Sequence, residues 1–142
     1  MTEDVPHLNK PVWRARLLGF GGVLETLTGL GLLLDPAGGT LLFFGSSVEG
    51  AGLAIGRIGG GGLLSLGIAC WLARRTPTSP ASVGVAWAYL VYNVVTCITL
   101  AWASVALAGG SLPALGGAVL HGVVGAGMLG ALLGRSEASA VS

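Results

Sequence analysis

Four long apolar stretches alternate with short polar breaks along the chain. The first, residues 17–34, reads LLGFGGVLETLTGLGLLL and follows Arg14 and Arg16. DPAGGT then interrupts it with Pro36 and two glycines, which break a helix. The second stretch runs from about 50 to 73 and stops at ARRTPTSP, a basic loop containing prolines. The third covers about 82–108, with Trp and Tyr toward its ends, and the fourth about 112–133. A hydrocarbon core of ~30 Å needs about 20 residues of helix, within a range of ~17–25. The pattern therefore predicts an all-α polytopic membrane protein, a four-transmembrane-helix bundle forming one membrane domain over residues 1–142. Residues 37–49 are too short to span alone and are expected to form an interfacial segment or the approach to the second helix.

Composition strengthens this picture. Charged residues make up 9% of the chain, against roughly 25% in an average soluble domain. Mean hydropathy is +0.83, and no charged residue occurs between Thr76 and Gly134. A small water-soluble fold leaves too much surface exposed to hide such a segment. A basic stretch before an apolar run also resembles a signal peptide, but no A-x-A cleavage pattern follows, so a retained first helix is expected. The lipid bilayer is then the first partner. The net charge of +1 and the absence of a basic stripe argue against nucleic acid. Lys10, Arg14 and Arg16 precede span one, Arg74 and Arg75 join spans two and three, and Arg135 follows span four. The other connections lack Lys and Arg, so both termini are expected on the cytoplasmic side.

GRIGGGGLLSLG, residues 56–67, raises the question of a phosphate loop. A Walker motif needs G-x-x-x-x-G-K-[ST], and the only lysine is Lys10. Glycine in a membrane helix instead lets backbones approach closely. Gly52, Gly56 and Gly60 recur every fourth residue in span two, and Ala118, Gly122, Ala126, Gly130 and Gly134 do so in span four. These faces are expected to pack helices within the bundle, or to seat a second copy or a larger membrane complex.

Ionisable residues within spans are the best functional candidates, because placing one there costs at least ~2.5–3.5 kcal/mol on insertion scales. Glu25, Arg57 and His121 qualify, with Asn93 as a neutral companion. Counting ~1.5 Å per residue from the flanking residues puts Glu25 and Asn93 in one layer, with Arg57 and His121 in a layer nearer the outside. An intramembrane polar cluster of these four is expected, Arg57 pairing with Glu25 across the gap. Glu49 is the alternative partner, and would leave Glu25 needing a proton or another group. The structural alternative is a buried ion pair that only fixes helix register.

No metal or cofactor is expected. His121 has no second intramembrane histidine, and Cys70 and Cys97 fall at different heights. No nucleophile motif of the Gly-x-Ser-x-Gly or Ser-x-x-Lys kind occurs, so no catalytic residue is assigned. Tyr89 and Tyr92 beside Asn93 suit packing or an interfacial belt.

LETLTGLGLLLDP followed by GRIGGGGLLSLGIACWLA resembles the small bacterial four-span membrane proteins of the DoxX-like kind and related uncharacterised families. The shared features are the proline ending span one, the glycine-bordered Arg57 and the LLSLGIACW run. The resemblance implies a compact bundle in the bacterial inner membrane and marks Arg57 as a structural or site position. The expected role is an accessory or interaction subunit without catalysis. The alternatives are a small homo-oligomeric transporter or channel, and a quinone-related oxidoreductase component.

Overall fold

The computed structural model describes residues 10–107 and 111–133. The polar N-terminal tail, the end of the third stretch at 108, Gly134, Arg135 and the C-terminal tail lie outside the described residues. The described chain forms five helices: α1 Lys10–Leu34, α2 Pro36–Phe44, α3 Ala51–Ala73, α4 Pro80–Ala106 and α5 Leu112–Leu133. Four of them, α1, α3, α4 and α5, are long and apolar enough to cross a membrane. The chain is thus an all-α, multi-pass membrane bundle.

α1 begins at Lys10, well before the apolar run, because its first turns are held by the rest of the bundle. The Arg14 guanidinium donates from Nη1 to the Pro77 carbonyl and from Nη2 to the Ala131 carbonyl, each at 2.8 Å. One side chain therefore ties α1 to the α3–α4 loop and to the end of α5. α4 starts on a conventional signal, with Pro80 in the first turn and the Ser79 hydroxyl accepting from the Ser82 amide.

Residues 36–44 form a separate short helix rather than the approach to α3. The Asp35 carboxylate accepts from the Gly38 amide at 2.8 Å, and Pro36 occupies the first turn. α2 ends at Gly45, whose φ of 71° is the left-handed conformation that glycine adopts without strain. Gly50, at φ 53°, makes the second sharp turn before α3. α2 packs against α1, α3 and α5.

The closest approach in the bundle is between the antiparallel helices α1 and α3, where backbone meets backbone. A Cβ on Gly60 would stand 2.7 Å from the Leu33 nitrogen and 2.8 Å from the Gly29 carbonyl oxygen. One on Gly29 would stand 2.5 Å from the Leu64 nitrogen, and one on Gly67 2.6 Å from the Thr26 nitrogen. Gly22 faces the Trp71 backbone at 3.0 Å, and Gly56 faces the Pro36 ring at 2.6 Å. Among the four consecutive glycines only Gly60 has this role, because a Cβ on Gly59, Gly61 or Gly62 would meet open space. Gly52 faces Val48 in its own approach loop, not α1.

α5 packs on α4 through a different face from the stripe that the sequence suggests. Ala114, Ala118, His121, Gly125 and Met128 are buried, whereas Ala126 and Gly130 are exposed and Gly122 is half-buried near Cys97. At 3.6 residues per turn a strict four-residue repeat advances about 40° per step. The stripe beginning at Ala118 therefore winds off the interface within two or three repeats.

Gly60→Leu is expected to destabilise the bundle by at least about 1–3 kcal/mol, the usual range for overpacking, since two backbones must separate. Gly61→Ala is expected to be neutral or to stabilise by up to ~1 kcal/mol, through helix propensity alone. Unfolding in mixed micelles, followed by circular dichroism, separates the two; equal losses would rule out this seam.

Candidate functional site

Three of the four expected polar residues come together and the fourth does not. Glu25 is 1% exposed, Asn93 0% and His121 8%. Arg57 is exposed on α3. The residue of α3 that lies against Glu25 and Thr26 is Gly67, about 15 Å further along that helix than Arg57. Glu49 is exposed in the loop before α3, and no ion pair joins Arg57 to either carboxylate among the described residues. The expected Glu25–Arg57 pair is therefore not formed, nor is the Glu49 alternative. Arg57 follows Gly56 by one residue, about 100° around the helix, so it turns off the seam on which Gly56 lies. It also sits about 9 Å from the N-terminal end of α3, within reach of that end for a long arginine side chain.

Of the expected second layer, Arg57 stays apart while His121 joins Asn93. Measured from the observed helix ends, Asn93 lies about 20 Å beyond Pro80 and His121 about 18 Å from Leu133, so the two are level. Their side chains are hydrogen bonded, His121 Nδ1 to Asn93 Oδ1 at 2.8 Å. The Asn93 amide nitrogen donates to the Tyr89 carbonyl at 2.8 Å. That second bond fixes the amide orientation: the oxygen faces His121, so Nδ1 carries the proton. In a neutral imidazole Nε2 is then an acceptor.

Glu25, His121 and Tyr92 share the wall of a cavity of about 350 Å³ between α1, α2, α4 and α5. Tyr92 meets the His121 ring edge-on, with centroids 5.5 Å apart, and lies beside the Glu25 carboxyl. Glu25 Oε1 is buried and has no hydrogen-bond partner. Away from this polar end the lining follows Thr28 and Leu32 on α1, Thr96 and Leu100 on α4, and Gly117 and Gly116 on α5. It ends beneath Phe43 and Phe44 of α2. From Tyr92 to Leu100 the cavity is about 12 Å long. The end at Glu25, Tyr92 and His121 is polar, and the other end is mainly apolar, with Thr40, and covered by α2.

This arrangement can hold an elongated, mainly apolar molecule by its head. His121 Nε2 accepts a hydrogen bond, and so does Glu25 Oε1 when the carboxyl is ionised; the head that matches this state is a donor: an amine, a hydroxyl or an N–H group. An unmatched buried carboxylate costs several kcal/mol, which a donor from a ligand offsets. Glycines shape the outer half, since a Cβ on Gly117 would approach Leu100 Cδ1 to 2.8 Å.

The sequence suits Tyr92 to packing or an interfacial belt and residues 37–49 to an interfacial segment or an approach to span two, and it assigns no role to Thr28 or Thr96. The signal was present as spacing: Tyr92, Thr96 and Leu100 follow at four-residue intervals on one face of α4, and Thr28 follows Glu25 by three. Cys70 is buried and Cys97 half-buried, and both are free thiols.

Replacing Asn93 with Leu is expected to destabilise the protein by about 1–3 kcal/mol, because His121 Nδ1–H and the Tyr89 carbonyl lose their shared partner. A double-mutant cycle with His121→Phe checks the assignment: strong coupling is expected, and additive losses would show that the two side chains act independently.

No protein-family model matches the chain, and no curated protein or solved structure matches it either.

Proposed function

We propose that the protein is a non-catalytic, ligand-binding accessory subunit of the bacterial inner membrane, with both termini cytoplasmic. In this reading it binds a small apolar molecule with a hydrogen-bond-donating head. The observation that carries it is Glu25 Oε1: a buried carboxylate oxygen without a partner, in the wall of a roomy cavity. Largely apolar pockets with a few convergent polar groups are the usual form of small-molecule sites. The head lies against Glu25, Tyr92 and His121, and the tail runs outward beneath Phe43 and Phe44. Amines and hydroxylated lipids belong to this class, as does a quinol, which keeps the quinone-related role within it.

The orientation is supported by the basic residues. Arg16 and Arg74 line one hollow, Arg14 bonds to the adjoining loop, and Arg75 follows Arg74, all at the same end of the bundle. A concentration of arginines at one end marks the cytoplasmic side.

Octylamine and octanoate have the same tail and opposite heads, and so test the site directly. For protein in nanodiscs at tenfold saturation, octylamine is expected to raise Tm by about 3–6 °C. Octanoate is expected to have little effect, and Glu25→Gln to narrow the difference. Equal shifts by both compounds, or a difference that survives Glu25→Gln, would falsify the proposal.

A further inference from the structure

A second site lies on the opposite side of α1, away from the cavity, where the α1–α3 groove reaches the basic end of the bundle. Here a surface hollow of about 390 Å³ is bounded by Arg16 and Gly19 of α1 and by Arg74 and Pro77. Gly19 keeps it open, since a Cβ there would stand 3.4 Å from Arg74 Cδ. The Arg74 guanidinium rests 3.7 Å above the Trp71 ring, and its Nε is buried without a hydrogen-bond partner. Arg14, by contrast, is engaged with two carbonyls. Among the described residues no carboxylate lies at this end: Glu25 faces the cavity, and Asp35 and Glu49 stand at the outer ends of α1 and α3. The hollow thus carries two guanidinium-bearing residues, Arg16 and Arg74, a lining that suits an anion.

The same groove continues toward the membrane interior. Val23 and Leu27 of α1, with Ile68 and Leu72 of α3, wall an apolar trough of about 360 Å³ that shares Trp71 with the stacked Arg74. Residues 16, 19, 23 and 27 of α1 advance by three or four, as do Arg74, which caps α3, and residues 71 and 68 within it, so both hollows lie along one line on the bundle surface. A soluble phosphate would use only the cationic end. A molecule with a phosphate head and a hydrocarbon tail uses the whole line.

We propose that this groove binds an anionic phospholipid, its phosphate held by Arg16 and Arg74 and an acyl chain lying along Val23, Ile68 and Leu72. Trp71 stands at the junction of head and tail and reports occupancy.

The test uses the full chain with Trp13, Trp87 and Trp102 replaced by Phe, so that Trp71 is the sole indole. The protein is placed in phosphatidylcholine nanodiscs containing a minor fraction of brominated phosphatidylglycerol or, in parallel, brominated phosphatidylcholine. Bromine quenching of Trp71 is expected to be stronger for phosphatidylglycerol. Arg16→Gln is expected to lower that preference about fivefold, in line with the contribution of one basic residue at an anionic surface. Arg16 is exposed, so this variant keeps the fold even where Arg74→Gln does not. Equal quenching by the two lipids, or a preference untouched by Arg16→Gln, overturns the proposal. Loss of the preference on adding excess inorganic phosphate also overturns it, since the site then recognises the anion and not the lipid.

Discussion

The close approach of α1 and α3 is the constraint on which the rest of the structure depends. In lipid there is no hydrophobic expulsion to drive two apolar helices together, so their association rests on contact. Gly22, Gly29, Gly60 and Gly67 supply it by removing side chains where one backbone crosses the other. The contact also fixes register: with Thr26 seated on Gly67 and Gly29 on Gly60, each residue of α1 has a set height against α3. That register leaves Glu25 turned inward, away from any residue of α3 that carries a charge.

Two features of the molecule follow. On the inner side, α1 cannot close down on α4 and α5, and the gap between them becomes the cavity that Glu25, Tyr92 and His121 line. The turn at Pro36, held against Gly56, sends α2 back across the outer end as a cover. On the outer side, the tight seam leaves a shallow groove along its length, with Arg16 and Arg74 at its basic end. One packing decision thus produces an enclosed polar end within the bundle and an amphipathic track on its surface.

The buried polar groups divide into a completed part and an open part. Asn93 is satisfied on both sides, by the Tyr89 carbonyl and by His121, and its bonds cross from α4 to α5. Glu25 Oε1 and the Tyr89 hydroxyl have no partners. Natural bundles rarely leave such groups unmatched in a low-dielectric interior. The completed pair holds the His121 ring in position. Glu25 Oε1 is the part left open, in the wall of the cavity.

Much of the fold was legible in the sequence because span length and helix breakers are local properties. Four apolar runs of membrane length, Pro36, and the basic loop at Arg74 and Arg75 are visible without any knowledge of neighbours. So was the burial of Glu25, Asn93 and His121, since they fall within apolar spans. Their grouping was not legible. Helix rotation and tilt depend on which residues meet a partner backbone, and the spacing that groups Gly52, Gly56 and Gly60 does not show that Gly60 meets α1 whereas Gly52 meets its own approach loop. The same rotation sent Arg57 outward and carried Ala126 and Gly130 off the interface. The sequence by itself determined that the chain crosses a membrane four times and buries a few polar groups. Tertiary structure alone decided which of those groups share a cavity, because facing and height across helices are set by contact between chain segments far apart in sequence.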